Sequence, residues 1–168
     1  MSQQIFERLT RRRLIAALGL SPFMASAFAQ AANPGRSHEV LMRNAACGDP
    51  NELNVFDPPI LKIDVGDTVT FVPFESGHNA ASKRGMVPEG GPSWNGGVDE
   101  RLTVTFDTDG TYGYVCVPHY EAGMVGLVLV GDHERNLEQA RKTRHAGGAR
   151  KAFRALFKRV KNGEFERA

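Results

Sequence analysis

The sequence predicts a mainly β protein, a two-sheet antiparallel β-sandwich followed by two C-terminal α-helices. Three observations carry this. Short alternating apolar segments recur between residues 39 and 130. Gly, Pro and Asp turn signals separate them. After Gly131-Asp132 the apolar period changes from two to that of a helix.

The elements follow in order. Residues 39–42, 61–65, 68–72, 102–106 and 112–115 alternate apolar and polar, as half-buried strands do. Residues 125–130 are nearly all apolar and read as a buried strand. Pro58-Pro59, Gly66-Asp67, Gly90-Gly91-Pro92 and Asp109-Gly110 mark the turns. The stretch from Asn44 to Pro50, which contains Cys47, reads as a loop. Residues 134–144 carry a weak helical stripe in Leu137 and Ala140. Beyond Gly147-Gly148 the stripe is clear: Ala149, Ala152, Phe153, Leu156, Phe157 and Val160 recur at helical spacing among Arg and Lys. Packing of this stripe on the outside of the sandwich is the expectation. A basic amphipathic helix that meets a membrane or a partner is the alternative.

Charge divides the chain more sharply than its formal net of +2 suggests. Residues 30–132, the sandwich, hold 6 Lys and Arg against 14 Asp and Glu, a net of −8. Residues 133–168, the helical extension, hold 11 against 4, a net of +7. Attraction between the two favours docking of the tail, by a modest and salt-screened amount. Residues 1–29 read as an export signal. Arg11-Arg12-Arg13 precede an apolar stretch too short for a membrane anchor, and Ala27-Phe28-Ala29 offers a cleavage site. Thr10 to Ile15 also resembles a twin-arginine signal, without its usual Phe. These features predict a periplasmic protein with no permanent membrane anchor, and no nucleic-acid motif is present.

The chemistry concentrates in Cys116-Val117-Pro118-His119-Tyr120-Glu121-Ala122-Gly123-Met124, with His78 upstream. A thiolate, two imidazoles and a thioether are the donor set of a type 1 copper site, a His₂Cys plane with a weak axial Met. Structural zinc uses four strong ligands and has little use for a thioether. His78, Cys116, His119 and Met124 are therefore the candidate metal ligands, for one copper per chain. Cys116 ends one predicted strand and Met124 precedes the next, so three ligands come from one loop. A Cys47–Cys116 disulfide is the competing reading of two cysteines in an exported chain. It leaves the spacing of His119 and Met124 unexplained, so Cys47 is expected to be an unpaired thiol.

At these residues the chain resembles the pseudoazurins, small periplasmic cupredoxins. The matching stretches are Val65-Gly66-Asp67-Thr68-Val69-Thr70-Phe71, Gly77-His78-Asn79, Gly85-Met86-Val87-Pro88 and the run from Tyr112 to Gly126. Plastocyanins share the Cys-to-His-to-Met spacing but end near the last strand. The resemblance implies a Greek-key, cupredoxin-like sandwich and the same four ligands. It also implies outer roles for Asn79 and Asn44 that tie loops together around the thiolate. The implied function is one-electron transfer by a monomer, with a copper nitrite reductase, another reductase or cytochrome c as partner. A copper carrier or store without electron transfer is the alternative. An enzyme is not expected: Val115 and Val117 flank Cys116, and the remaining histidines, His38, His133 and His145, lie far off in sequence. The family's ring of lysines around the copper end is reduced here. Ala45, Ser76 and Val115 are neutral, Lys83 and Arg84 keep some positive charge, and Glu121 adds an acid. Docking is therefore expected to depend little on charge, with the tail serving the fold alone.

Overall fold

The computed structural model describes residues 35–168, so the predicted export signal lies outside the described residues. Among the described residues, nine strands form two sheets. The first four strands are β1 (Ser37–Ala46), β2 (Asp49–Asp57), β3 (Ile60–Ile63) and β4 (Thr68–Pro73). Then come β5 (Ala81–Ser82), β6 (Leu102–Thr105), β7 (Gly110–Val115) and β8 (Val125–Val130). A 3₁₀ turn at His133–Asn136 leads into α1 (Leu137–Lys142) and α2 (Gly147–Lys161), and β9 (Glu166–Arg167) closes the chain.

One sheet has the order β2-β1-β4-β6, the other β5-β7-β8-β3-β9. Both are mixed rather than purely antiparallel. The chain leaves the first sheet after β2, runs β3 in the second and returns as β4. There β4 joins β1 in parallel, and β3 lies parallel to β8. Alternation says which side chains face inward, but it does not say which strand will be the neighbour. The predicted loop at Asn44–Pro50 is instead a hairpin. Ala45 pairs Leu53, the register shifts after it, and Cys47-Gly48 make the turn.

Between the sheets lies a core of Val40, Met42, Phe56, Phe71, Trp94, Phe106, Tyr112 and Tyr114, joined by Cys116 and Met124. Phe71 stacks on Trp94 with centroids 5.7 Å apart, and Phe106 meets Tyr112 edge-on at 5.0 Å. Such pairs each add about 0.5–1.5 kcal/mol beyond area burial. A second core lies on the outer face of the β7–β8–β3 sheet. Ile60, Leu127 and Leu129 pack there with Ala149, Phe153, Leu156, Phe157 and Val160 of α2. This explains why β8 is apolar throughout: Val128 and Val130 face the first core, Leu127 and Leu129 the second.

The predicted helical stripe is the buried face of α2. Charge attraction plays no visible part in this packing. Among the described residues, no Lys or Arg of 133–168 forms an ion pair with an acid of the sandwich. No described helix is long and apolar enough to cross a membrane.

Candidate metal centre

Three of the four predicted ligands converge at one end of the sandwich. Their donor atoms, one from each of His78, Cys116 and His119, all lie within 4.8 Å of one another. Nδ1 of His119 is 3.5 Å from Cys116 Sγ, and Nδ1 of His78 is 3.9 Å from it. The two rings are tilted, with centroids 4.9 Å apart. His78 and Cys116 are fully buried, whereas His119 is partly exposed.

The loop that carries Cys116, His119 and Met124 is closed by its own backbone. Cys116 N–H donates to Met124 O at 3.0 Å, and Met124 N–H donates to His119 O at 3.1 Å. Gly123 N–H also donates to His119 O, and its φ of +106° is costly for any residue with a Cβ. Met124 is 1% exposed and belongs to the same core cluster as Cys116.

His78 is held by two residues, Asn44 and Asp99. Its Nε2 donates to Asn44 Oδ1 at 2.9 Å, which leaves Nδ1 to face the sulfur. Asp99, itself at φ +60°, turns its carboxylate to accept the N–H of Gly77 at 2.6 Å and that of His78 at 3.4 Å. Asp99 N–H in turn donates to His78 O at 2.8 Å. Asn79 ties two loops together: its Oδ1 accepts Val117 N–H at 2.7 Å and its Nδ2 donates to Gly96 O at 2.9 Å. The resemblance implied that Asn44 and Asn79 tie loops around the thiolate. In the structure Asn44 holds the imidazole and Asn79 holds the loop beside the sulfur. Asp99 was not anticipated, and only its nearness to the Gly96-Gly97 turn hinted at a local role.

The electrostatics suit a cation that prefers soft donors. Burial, and then the nearby His119, push His78 below the ordinary imidazole range and favour the neutral, ligating form. Burial pushes the Cys116 thiol up, with the peptide N–H groups of Asn79 and His119 acting against it. A buried thiol of this kind gives up its proton to a metal rather than to water. One sulfur and two neutral nitrogens fit copper.

The ligand loop also touches the tail. Gly148 N–H donates to Glu121 O at 2.7 Å. A Cβ on Gly148 would lie 2.7 Å from that oxygen and 2.8 Å from the Ala122 carbonyl. Tyr120 Oη meets His145 Nδ1 at 3.0 Å. Helical periodicity located α2 but not this contact.

Comparison with known proteins agrees with the geometry. Residues 43–131 match the copper binding proteins of the plastocyanin/azurin family. The chain is 37% identical over 149 residues to a pseudoazurin of Methylorubrum extorquens, covering 89% of this chain and 97% of that one. It is 36% identical over 138 residues to the pseudoazurin of Paracoccus pantotrophus, covering 81% and 93%. A solved pseudoazurin from Sinorhizobium superposes with a TM-score of 0.73 at 35% identity, covering 76% of this chain and 98% of that one. The pseudoazurin of Methylobacterium extorquens AM1 gives 0.68 at 37%, covering 74% and 98%. The fold, the convergent donors and these likenesses agree that the chain belongs to the pseudoazurins, copper-binding electron carriers rather than enzymes.

Proposed function

We propose that this protein carries single electrons between periplasmic redox proteins, with copper held by His78, Cys116 and His119 and weakly by Met124. The observation that carries the reading is the cluster of two ring nitrogens and one sulfur within 4.8 Å at the end of the sandwich, with His78 and Cys116 buried and His119 partly exposed. Bound copper supplies a one-electron couple.

The chain does the rest. Strands β7 and β8 fix the two ends of the ligand loop, and Asn44 and Asp99 fix His78, so the donors change little between oxidation states. His119 is the ligand with an exposed edge, and electrons pass there. Exposed Val117, Pro118 and Ala122 surround it in sequence, and the strand leading toward His78 ends beside exposed Phe74. An apolar rim of this size suits a small interface with fast release.

The partner we favour is a copper nitrite reductase, with a cytochrome c as the other candidate donor or acceptor. Support for export comes from the basic and apolar N-terminal pattern and from the family. Purified protein loaded with Cu(II) should show an intense visible band that ascorbate bleaches and ferricyanide restores. A colourless protein that takes up Cu(I) and gives it back on oxidation would instead make it a copper store.

A further inference from the structure

α2 carries a row of exposed cations. Arg150, Arg154 and Lys158 follow at four-residue spacing, and Lys161 extends the row. All four are exposed, along one side of the face that packs on the sheet. Like charges at this spacing repel and weaken a helix. Arg150 lies in the first turn of α2, where the helix dipole disfavours cations. Among the described residues none of the four has an acidic partner; the ion pair nearby is Arg141–Glu138. Helix stability therefore accounts for Lys158 and Lys161, which lie in the last turn, but gives no reason for Arg150 and Arg154.

With Arg144 and His145, the row lines a cleft of about 690 Å³ along α2, in which no described acid takes part. The cleft borders the metal loop. His145 shares a hydrogen bond with Tyr120, the residue after His119, and Gly148 at the start of α2 holds Glu121.

We propose that this cleft docks the acidic face of the protein with which this chain exchanges electrons. The inference rests on the electron-carrier reading above. From Arg150 to Lys161 the row runs about 16 Å along the helix, far longer than a single phosphate. A membrane-surface helix would offer its apolar face to lipid, but Phe153, Leu156, Phe157 and Val160 are buried against the sheet. A concave, extended surface whose charged side chains are all cationic, with Thr143, Phe153 and Phe157 between them, fits an acidic protein surface. Because it flanks the ligand loop, it steers a partner without covering the exposed edge of His119. Docking then depends on charge, carried by the tail rather than by a ring around the metal.

The test is an NMR titration of the ¹⁵N-labelled, Cu(I)-loaded protein with poly-L-glutamate. Amide shifts should centre on residues 141–161 and Tyr120. The R150E/R154E/K158E variant should bind roughly tenfold more weakly, while K83E/R84E stays within about twofold of wild type. Should the triple variant unfold, R150Q/R154Q replaces it and must still weaken binding. Shifts centred on Lys83 and Arg84, or binding indifferent to the α2 changes, would overturn the proposal. So would an absence of poly-L-glutamate binding, or co-sedimentation with phosphatidylglycerol vesicles in its place. The visible band of each Cu(II) protein separates the two readings. Docking lost with the band kept sinks only the cleft, whereas a wild type without the band sinks the electron carrier.

Discussion

Nε2 of His78 lies 2.9 Å from Oδ1 of Asn44, 34 residues away, and this bond turns the other ring nitrogen toward Cys116. Bonds of this kind orient a ligating imidazole before any metal arrives. Asn44→Ala should lower copper affinity about 10–100-fold with the fold intact. Competition with a chelator at fixed pH measures it. Unchanged affinity would mean that packing alone holds the ring.

The two cysteines should behave oppositely. Cys116 is fully buried beside two imidazoles, whereas Cys47 is exposed at a hairpin turn. Cys116→Ser should abolish the visible band, since that colour is charge transfer from thiolate to Cu(II). Cys47→Ser should keep it. If both variants lose the band, or both retain it, the ligand assignment fails.

Met124 offers a test of tuning. A weak axial thioether contributes more to potential than to retention. Met124→Gln should keep copper and lower the reduction potential, because a harder oxygen favours Cu(II). Voltammetry reads the shift. An apoprotein with unchanged circular dichroism would show instead that Met124 is needed to hold the metal.

The tail should contribute strongly to stability. Phe153 is 1% exposed and Phe157 9%, both in the outer core with β8. Phe153→Ala should cost about 3–5 kcal/mol, as removal of a buried aromatic does. Phe157→Ala should cost somewhat less, in the same range or just below it. Urea midpoints at constant slope measure both, and a loss below about 1 kcal/mol at Phe153 would show that the site is not core.

Acid should loosen the opposite end of the sandwich through Asp67. Burial pushes its carboxyl up, but hydrogen bonds from His38 and from the N–H groups of Arg36 and Asp64 more than offset this, and the result is below the usual 3.8. A carboxyl lowered on folding stabilises the protein fully above its unfolded value. That stability is lost as pH falls through the folded one. Asp67→Asn should therefore be less stable than wild type near neutral pH, with the gap closing below about pH 4. A gap independent of pH would place the effect in packing instead.

Local pattern made much of this protein readable. Alternation marked most strands, and the 3.6-residue period marked α2 together with the face it buries, because each depends on residues a few positions apart. The loop from Cys116 to Met124 was legible for the same reason: three donors of distinct chemistry sit within nine residues. Strand β2 escaped notice because Asn, Asp, Glu and Pro dominate its first half, and Phe56 is its one fully buried aromatic.

Other features exist only between distant segments. The parallel pairings of β1 with β4 and of β3 with β8 follow from crossovers that no window of sequence contains. Whether His78 points at Cys116 depended on Asn44 and Asp99, which approach from two other parts of the chain. The sequence by itself determined the donor types, the acidic body, the basic tail and the apolar stripe. Only the tertiary structure decided that apolar packing rather than ion pairing docks the tail, because α2 buries its stripe against the outer sheet, leaves its cations without acidic partners in the sandwich and brings its first residues against the metal loop.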